Sequence, residues 1–495
     1  MNRSSNLKLL KENKSTFDFI IIGGGATGLG CALDASSRGF NVILLEKFDF
    51  CKGTSSKSTK LVHGGVRYLQ NGQLSLVYEA LKERTILKKN APHLVKQLGF
   101  LIPTYNYLLK FYYYVGLQFY HFISGSLSFD KPQVVDKESA LKLVPNVNDL
   151  KLKGGVVFFD GQFDDCRMGI DIALSSDSNN ALLFNYMSVE SLIKVNNKVK
   201  GVVVKDTLNN NSFSINGRVI INATGVFSKS IMKMDSLQSR AVIKPSQGLH
   251  LVLDKSFLKG QTGILIPKTS DGRVLFAIPW LDHVILGTTD TLVEEALFDP
   301  VPLNDEIDFI LNNAQKYMSI KPKREDVKSI FVGLRPLVAD NQKSRTKDIS
   351  RKHKIIISDS GLVSVIGGKW TTYRKIAEKV IDRSLNLFGL NKKKSVTENL
   401  KIIDGLKNID YSKKSLSTYF YLSKELILHY VRNEMAINLD DIMSRRSRCL
   451  FLNIEESVAV APKVVEIMAK ELSKNNQWQK EQLRKFYELT KIYNI

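Results

Sequence analysis

Two short, uninterrupted apolar runs, at residues 19–22 and 42–45, dominate the start of the chain. Runs of this length are typical of parallel strands that are buried on both faces. Small and apolar residues fill positions 26–33 between the runs, which predicts a helix lying close to the strands. Gly39 stands where that helix should end. The pattern therefore predicts a β-α-β unit.

Three glycines connect the first run to this helix with the spacing G-x-G-x-x-G. Gly23 would allow a tight turn, Gly25 would let the backbone approach a pyrophosphate, and Gly28 would let the helix lie against the strand. Glu46 ends the second run, where a carboxylate accepts hydrogen bonds from ribose hydroxyls and repels a 2′-phosphate. The spacing indicates a dinucleotide site, and an ordinary tight βα turn is the alternative interpretation.

The glycine motif does not choose between a nicotinamide and a flavin. The polar stretch at residues 53–69 favours a flavin, because its hydroxyls and lysines followed by His63-Gly64-Gly65 suit a backbone that follows a bound cofactor to its reactive ring. A polar surface loop before a helix is the alternative. The candidate cofactor contacts in both stretches are Gly23, Gly25, Ala26, Thr27, Gly28, Glu46, Thr54, Ser55, Ser56, Ser58, His63, Gly64 and Gly65.

Aromatic residues crowd together at residues 103–129. The run is too short and too polar to cross a bilayer, which needs about 20 apolar residues. Tyrosines with flanking lysines suit the boundary between membrane and water. A buried helical hairpin or a dimer contact is the alternative interpretation.

The last segment, at residues 397–495, is predicted to be helical from two apolar stripes, Tyr419/Leu422/Leu426/Tyr430 and Val464/Val465/Ile467/Met468. We expect it to pack on the rest of the chain and to carry no chemistry. The first 17 residues are polar and rich in lysine, and they lack the apolar core of a signal peptide. We expect them to form a loose arm.

Composition limits the class of protein. A chain of 495 residues with 43% apolar and 24% charged residues is expected to form two or three soluble domains. Its four cysteines, Cys31, Cys51, Cys166 and Cys449, are too scattered for a disulfide framework or a metal cluster, so we predict a reducing compartment and no metal.

The net charge of +22 is compatible with nucleic acid, an anionic membrane surface or anionic substrates as partners. Lysines are spread along nearly the whole chain, so a general bias in composition explains much of the excess. The aromatic patterns of RNA-binding modules are absent from the sequence, and we expect no nucleic-acid partner.

The chain resembles the flavin-dependent glycerol-3-phosphate dehydrogenases over about residues 18–470. The motifs that carry the resemblance follow one another in one order: Ser55-Ser56-Lys57-Ser58, His63-Gly64-Gly65-Val66-Arg67-Tyr68-Leu69, Asp160-Gly161-Gln162-Phe163-Asp164-Asp165, Asn222-Ala223-Thr224-Gly225, Lys244-Pro245-Ser246-Gln247-Gly248-Leu249-His250, Gly287-Thr288-Thr289-Asp290, Gly333-Leu334-Arg335-Pro336-Leu337, Gly367-Gly368-Lys369-Trp370-Thr371-Thr372 and Arg445-Arg446-Ser447-Arg448. The chain departs from the family pattern at Val226-Phe227, where many members have Pro-Trp, and at Cys166, where Ala or Ser is usual. The sequence has no D-x-D-x-D-G calcium loop of the kind seen in mitochondrial relatives, and the resemblance is to the bacterial type of the family.

The resemblance implies an α/β fold with an FAD-binding Rossmann-like domain of the glutathione-reductase and amino-acid-oxidase type. An antiparallel-sheet substrate domain would be inserted into it, and a C-terminal α-helical domain would follow. The implied units are an arm at 1–17, an oxidoreductase unit at 18–390 with FAD-binding pieces at about 18–75, 180–230 and 355–390, and a helical domain at 397–495.

The implied function is FAD-dependent oxidation of sn-glycerol 3-phosphate to dihydroxyacetone phosphate. Electrons would pass to a membrane quinone, in a cytoplasmic homo-oligomer held peripherally on the inner face of the cell membrane. One alternative is an oxidase that reduces oxygen to hydrogen peroxide. An alternative of another class is a basic membrane- or RNA-binding scaffold with a vestigial flavin site, and a third is an amino-acid oxidase.

Oxidation of a secondary alcohol removes a hydride from carbon and a proton from oxygen, so the site needs a base and a cationic clamp for the phosphate. The clamp candidates are Arg67, Arg335 and Lys369, with Tyr68 beside them. We expect His250 to be the base, because a neutral imidazole has a suitable pKa, and His63 is the second choice. The resemblance adds Thr224, Gly225, Gly368, Lys369 and Thr371 as cofactor contacts and Arg335 as a catalytic residue.

Overall fold

The strands form two sheets, and helices pack on the faces of both sheets. The computed structural model describes residues 1–12, 15–65, 74–127, 129–236, 242–339 and 353–495. The strands are β1 (Phe17–Ile22), β2 (Val42–Leu45), β3 (Leu61–Val62), β4 (Lys96–Pro103), β5 (Gln133–Val135), β6 (Gly155–Gln162), β7 (Leu182–Phe184), β8 (Met187–Val195), β9 (Lys198–Asp206), β10 (Ser212–Asn222), β11 (Val242–Asp254), β12 (Gly263–Ile266), β13 (Leu275–Trp280), β14 (His283–Gly287), β15 (Thr291–Leu292), β16 (Val327–Ala339), β17 (Lys354–Ile357) and β18 (Val363–Ile366).

The helices lie between and after these strands. They are α1 (Arg3–Glu12), α2 (Ala26–Ser37), α3 (Leu74–Asn90), α4 (Tyr107–Ser124), α5 (Lys137–Leu143), α6 (Asp165–Ser178), α7 (Ser228–Asp235), α8 (Asn304–Tyr317), α9 (Tyr373–Leu387), α10 (Lys424–Asn433), α11 (Cys449–Leu452), α12 (Ile454–Glu471) and α13 (Asn476–Tyr493). Short single turns at Thr54–Ser56, Gly225–Phe227 and Trp370–Thr372 precede or follow several of them.

The first sheet has the order β17-β18-β10-β1-β2-β7, and its central strands from β18 to β7 are parallel. Phe19 and Ile21 point to one face, where α2 packs between α6 and α9, while Ile20 and Ile22 point to the other. Both faces are therefore covered, which explains the uninterrupted apolar runs. The predicted β-α-β unit is confirmed, and Gly39 follows the end of α2 with a φ of +77°.

The second sheet is almost entirely antiparallel, with the order β15-β11-β14-β13-β12-β4-β6-β3 and with β16 added beside β11. Only β4 and β12 pair in parallel among the pairs of this sheet in the described residues. One face packs on α5 and α8. The opposite face packs against α4 and the C-terminal helices. The predicted α/β fold with an added antiparallel sheet and a helical end is confirmed.

The N-terminal residues do not form the expected loose arm, because α1 is anchored to the first sheet. The guanidinium of Arg3 makes an ion pair of 2.9 Å with Asp206 and donates to the carbonyl of Asn185. Asn6 donates to the carbonyl of Leu183, and Leu10 is buried. These contacts are between distant positions, so a polar composition alone did not reveal them.

The C-terminal residues fold as helices, and the second predicted stripe, at 464–468, is buried in α12. In the first stripe Leu422, Leu426 and Tyr430 are buried, whereas Tyr419 is exposed and precedes α10. Tyr419 and Leu422 both precede α10, so the predicted helical stripe was wrong at these two positions, although Leu422 is still buried.

The aromatic segment forms the single helix α4, so the alternative of a buried helical hairpin is wrong. Four large side chains on its outer side, Leu108, Phe111, Phe119 and Phe122, are exposed to solvent. We call these four residues the apolar face of α4. Among the described residues, no helix is both long and apolar enough to cross a membrane.

Candidate active site

The glycine cradle at the end of β1 is shaped by contacts that exclude side chains. Gly23 has a φ of +108°, and a Cβ there would lie 2.7 Å from the carbonyl oxygen of Ala223. A Cβ at Gly28 would lie only 1.9 Å from the carbonyl oxygen of Gly23. Gly25 caps α2, whose N-terminus carries the partial positive charge that stabilises a pyrophosphate. The cradle therefore has the shape of a dinucleotide phosphate site.

Glu46 lies directly beside this cradle. Its carboxylate accepts hydrogen bonds from the N–H of Gly24 at 2.6 Å and from the N–H of Phe48 at 2.9 Å. Burial raises the pKa of Glu46, and the two N–H donors offset only part of that effect. The carboxylate is held at the C-terminal end of β2, where the ribose of a dinucleotide lies in this kind of fold.

A cavity of about 670 Å³ extends from the cradle to the second sheet. Most of the predicted cofactor contacts line it: Gly23, Gly25, Ala26, Thr27, Glu46, Thr54, Ser55, Ser58, His63, Gly65, Thr224, Gly225, Gly368, Lys369 and Thr371. Gly28, Ser56 and Gly64 do not line it. Gly28 packs against Gly23, the hydroxyl of Ser56 donates to the carbonyl of Gly53, and the N–H of Gly64 donates to the phenol oxygen of Tyr120. These three residues shape the walls of the cavity from behind.

The hydroxyl-rich loop at residues 53–59 is held from several sides. Ser55 accepts from the N–H of Ala26 at 2.9 Å, and its carbonyl accepts from the indole N–H of Trp370 at 2.8 Å. The hydroxyl of Thr54 donates to the carbonyl of Leu334. The N–H and the hydroxyl of Ser58 both donate to Asp165. The loop thus joins the cradle, the second sheet and α6 at one point.

Asp165, which accepts hydrogen bonds from Ser58 of this loop, is buried and also pairs with two buried cations. Lys60 donates to it at 2.8 Å, and Arg448 of the C-terminal region donates at 2.5 Å. Burial alone would raise the pKa of Asp165, but Lys60 and Arg448 outweigh burial and lower it. Burial and the charge of Arg448 lower the pKa of Lys60 to about 8. Through Arg448, the C-terminal region therefore helps to hold the loop at residues 53–59 in place. The sequence did not indicate this role.

His250 lies on β11 with only 2% of its surface exposed, and it lines the cavity. Its ring stacks on Phe331 with centroids 4.7 Å apart. Nε2 is 2.9 Å from the hydroxyl oxygen of Thr59, and within the described part of the chain no group hydrogen-bonds Nδ1. Burial lowers the pKa of His250 well below its usual range, and the charges of Lys60 and Arg335 lower it further. The imidazole is therefore neutral at neutral pH.

Arg335 enters the same cavity from β16, opposite Ser246 of β11. One guanidinium nitrogen is 3.4 Å from a carboxylate oxygen of Asp290, and another is 3.3 Å from the hydroxyl of Thr288. A Cβ at Gly248 would lie 2.6 Å from the guanidinium, so a larger residue there would displace the end of the Arg335 side chain. Gly248 and His250 are two residues apart on β11, which places the cation and the imidazole on one face of the strand.

Lys369 lines the cavity on the opposite side, at the end of the loop that leads through the turn Trp370–Thr372 into α9. The hydroxyl of Thr371 accepts from the N–H of His63 at 3.2 Å, so this loop is joined to the histidine-glycine-glycine motif. Arg67 and Tyr68 lie outside the described residues. The structure thus brings His250, Arg335 and Lys369 to one cavity.

Thr59 is the residue that the sequence did not single out. It lies in a run of serines, threonines and lysines, so its composition offered no contrast with its neighbours. Only the approach of β11, which comes 191 residues later, reveals that its hydroxyl meets the imidazole.

Comparison with known proteins places the chain among flavoenzymes. Residues 18–374 match the family described as FAD dependent oxidoreductase, and residues 363–482 match the C-terminal domain of alpha-glycerophosphate oxidase. The chain is 37% identical over 541 residues to the mitochondrial glycerol-3-phosphate dehydrogenase of Rattus norvegicus, covering 97% of this chain and 74% of that protein. A probable glycerol-3-phosphate dehydrogenase of Encephalitozoon cuniculi is 35% identical, over 92% of this chain and 81% of that protein.

Solved structures show the same relationship. A glycerol-3-phosphate dehydrogenase from Bacillus halodurans, complexed with FAD, matches with a TM-score of 0.80 at 27% identity, covering 99% of this chain and 98% of that one. The L-alpha-glycerophosphate oxidase of Mycoplasma pneumoniae, with FAD bound, matches in fold with a TM-score of 0.62 at 19% identity, over 77% of this chain and 96% of that one.

Proposed function

The chain belongs to the family of FAD-dependent glycerol-3-phosphate dehydrogenases, and from this membership we propose that it is a peripheral membrane enzyme that delivers its electrons to a quinone. It oxidises sn-glycerol 3-phosphate to dihydroxyacetone phosphate with FAD as its cofactor. The cradle fits this cofactor, because Gly23 and Gly28 leave room only for backbone and because Glu46 suits an unphosphorylated ribose.

When bound, FAD supplies the acceptor for the hydride that leaves C2 of the substrate. In our proposal the neutral imidazole of His250 takes the proton from the C2 hydroxyl. Its depressed pKa keeps the base free of a proton at working pH, and stacking on Phe331 together with the contact to Thr59 fixes the ring. Positioned general bases contribute typically about 10²- to 10⁴-fold of rate, and the contribution is smaller when the pKa of the base lies well below the working pH.

In our proposal, Arg335 and Lys369 hold the substrate phosphate within the cavity. Arg67 and Tyr68, which belong to the histidine-glycine-glycine motif at 63–69, complete the phosphate site. Arg335 is oriented by Asp290 and Thr288, so its planar fork is already positioned before a ligand arrives. A guanidinium makes paired hydrogen bonds to phosphate oxygens. Fixing the phosphate also fixes C2, which removes part of the entropic barrier to hydride transfer.

The observation that carries the proposal of a quinone acceptor is the apolar face of α4. Leu108 is 80% exposed and Phe122 is 78% exposed, and the other two residues of the face are exposed as well. Exposure of four large apolar side chains on one helix is unusual. At one end of this face, the ammonium groups of Lys110 and Lys153 each lie 5.7 Å from the ring centre of Tyr107. Apolar groups bordered by tyrosine and lysine suit the boundary of an anionic bilayer, where a membrane quinone is found.

The remaining parts of the proposal come from the family resemblance. We place the enzyme on the inner face of the cell membrane, as a homo-oligomer without a nucleic-acid partner. We propose an oxidoreductase unit at 18–390, on which α1 packs, and a helical domain at 397–495 as its organisation. The vestigial-site alternative is disfavoured because His250, Arg335 and Lys369 meet in one cavity.

The acceptor is tested with purified enzyme in detergent, by comparing reduction of a quinone analogue under argon with peroxide formation in air. We expect rapid quinone reduction and little peroxide. Peroxide formed in amounts equal to the substrate oxidised, with a slow quinone reaction, would identify an oxidase instead. A flavin that binds but never loses its colour with glycerol 3-phosphate would support the scaffold alternative.

A further inference from the structure

We propose that Glu306 of α8 is a positioning residue for Arg335, although it lies behind the second sheet and does not line the cavity. It acts through Thr289, the middle residue of a β-bulge whose two outer residues contact the guanidinium. This inference rests on the proposed role of Arg335 in binding the substrate phosphate. A buried carboxylate outside the cavity would then hold the phosphate-binding cation in its orientation.

The bulge lies where β14 and β15 pair in succession with β11. The last pair of β14 joins Gly287 to His250, and the next pair, in β15, joins Thr291 to Gln247. Three residues, 288–290, therefore lie opposite only two residues of β11. An extra residue of this kind bends the strand and re-aims side chains, and such bulges are common beside active sites.

The two outer residues of the bulge face the cavity. The hydroxyl oxygen of Thr288 is 3.3 Å from one guanidinium nitrogen of Arg335, and a carboxylate oxygen of Asp290 is 3.4 Å from another. The same oxygen of Asp290 accepts a hydrogen bond of 2.5 Å from the hydroxyl of Ser246. Both contacts to the guanidinium exceed the usual range of about 2.7–3.2 Å. A small displacement of the bulge would therefore remove them.

The middle residue of the bulge points to the opposite face of the sheet. The hydroxyl of Thr289 accepts from the N–H of Leu249 at 2.9 Å and donates to one carboxylate oxygen of Glu306 at 2.7 Å. The other oxygen of Glu306 accepts from the side-chain amide of Gln247 at 2.6 Å. One carboxylate thus holds both the bulge and the strand that lies opposite it.

The surroundings of Glu306 make this pairing specific. Glu306 is buried in the first turn of α8, where the helix N-terminus stabilises a negative charge. Ile307, the next residue of the helix, and Leu249 of β11 belong to the apolar core on this side of the sheet. A buried carboxylate is costly unless it is hydrogen-bonded, and it accepts but cannot donate. The donors on Gln247 and Thr289 are therefore fixed in direction as well as in partner.

Loss of the Thr289 hydroxyl would free the bulge from its support behind the sheet. The long contacts to Arg335 would be lost, and the guanidinium would no longer be oriented before the substrate binds. His250 would keep its own contacts, which are the ring of Phe331 and the hydroxyl of Thr59. We therefore expect an effect on the affinity for the phosphorylated substrate rather than on hydride transfer.

The test compares Thr289→Val, which keeps the shape of the side chain, with the control Thr104→Val. Thr104 is also buried, and its hydroxyl donates to the carbonyl of Gly154, outside the cavity. The substrate dependence of anaerobic flavin reduction gives the dissociation constant of glycerol 3-phosphate and the limiting rate. In Thr289→Val we expect the dissociation constant to rise about tenfold, as for one typical hydrogen bond. The limiting rate should stay within about threefold of the wild type, because His250 is unchanged.

Three further variants complete this series. Thr289→Ser keeps the hydroxyl and should restore the dissociation constant. Glu306→Leu removes the carboxylate and should show the same loss as Thr289→Val, so the result does not depend on the folding of one variant. Thr104→Val should keep the wild-type dissociation constant even where its melting temperature falls. Flavin absorbance checks that every variant retains FAD.

A double variant separates positioning from a general disturbance of the site. In an Arg335→Ala background, adding Thr289→Val should change the dissociation constant by less than about twofold, because the side chain that it positions is gone. Wild-type affinity in Thr289→Val and Glu306→Leu, or a full tenfold loss added to that of Arg335→Ala, would overturn the positioning role while leaving Arg335 in the phosphate site. An Arg335→Ala enzyme that binds glycerol 3-phosphate as tightly as the wild type would reject the proposed phosphate role itself, and the inference with it.

Discussion

The hydroxyl oxygen of Thr59 lies 2.9 Å from Nε2 of His250 and, within the described residues, is the imidazole's one hydrogen-bond partner. The two residues come from a loop of the cofactor unit and from a strand of the second sheet. The loop at residues 53–59, which lines the proposed cofactor cavity, therefore also orients the imidazole of His250.

Replacing Thr59 tests this support. Thr59→Val keeps the shape but removes the hydrogen bond, and we expect flavin reduction by glycerol 3-phosphate to slow about tenfold, which corresponds to one typical hydrogen bond. Thr59→Ser keeps the hydroxyl and should restore most of the rate. Rapid-mixing absorbance measures both variants. If Thr59→Val and the wild type share the same rate and pH profile, the hydroxyl does not position the base.

The lowered pKa of His250 predicts how enzyme activity depends on pH. Because burial and nearby cations lower its folded-state pKa well below the usual value, activity should persist as pH falls through about 6.5 and should decline only at lower pH. The same shift contributes folding stability above the unfolded pKa, and this contribution is lost as pH falls toward the folded pKa. In His250→Gln we expect flavin reduction to fall about 10²- to 10⁴-fold with FAD still bound. A wild-type acid limb near pH 6.5, or an active His250→Gln enzyme, would contradict the assignment.

Arg335→Ala should weaken the use of the phosphorylated substrate. Loss of a charged hydrogen-bond pair is worth about 1.5–3 kcal/mol, so kcat/KM for glycerol 3-phosphate should fall about 10- to 100-fold. Arg335→Lys should recover only part, because an ammonium lacks the planar fork. The control substrate is glycerol, which has no phosphate and should lose little. An equal loss with both substrates would mean that the variant disturbs the site rather than phosphate binding.

The apolar face of α4 is tested by its affinity for lipid. The triple variant Leu108→Ser, Phe111→Ser and Phe122→Ser removes apolar side chains that are each worth about 1.5–3 kcal/mol when buried. We expect sedimentation with vesicles of phosphatidylglycerol and phosphatidylcholine to fall more than about tenfold. The control triple variant, Val195→Ser, Leu387→Ser and Tyr419→Ser, changes exposed apolar residues elsewhere and should sediment like the wild type. Equal sedimentation of the two triple variants would remove the membrane role of α4.

The C-terminal region is tied to the cofactor unit by buried charges of the helical turn Asp441–Arg446, and a stability measurement can test them. Asp49 accepts from Arg445 at 2.6 Å and from Arg446 at 2.7 Å. Burial would raise the pKa of Asp49, but Arg446 and Arg445 outweigh it and lower the pKa. This stability is present above the unfolded pKa of about 3.9 and is lost as pH falls further.

Arg446→Leu leaves Asp49 with an incomplete set of partners, and we expect the free energy of unfolding in urea to fall by about 3–5 kcal/mol. The double variant Asp49→Leu with Arg446→Leu should regain part of the loss, because the uncompensated charge is removed. Identical unfolding curves for Arg446→Leu and the wild type would show that the pair contributes nothing to stability.

Local spacing made the cradle predictable. Gly23, Gly25 and Gly28 lie within six residues, and their requirement for a bare backbone is set by the strand and helix that they join. Apolar runs likewise predicted the first sheet, because strands buried on both faces have no polar alternation. The motif context also placed His250, Arg335 and Lys369 in one cavity.

Contacts between distant segments were not predictable in this way. The approach of Thr59 to His250 and of Arg446 to Asp49 depends on how the two sheets and the C-terminal helices pack. Composition showed that residues 103–129 are rich in aromatic side chains, but not that the large side chains of α4 are exposed. The anchoring of α1 by Arg3 and Asp206 was missed for the same reason.

The central claim is that a flavin bound beside His250 and Arg335 takes a hydride from glycerol 3-phosphate. The most direct measurement is the visible absorbance of purified, FAD-loaded enzyme before and after glycerol 3-phosphate is added without oxygen. We predict that the yellow absorbance of the oxidised flavin disappears within the turnover time and that one dihydroxyacetone phosphate forms for each flavin. A spectrum that stays unchanged with glycerol 3-phosphate, while dithionite still bleaches the flavin, would contradict the account.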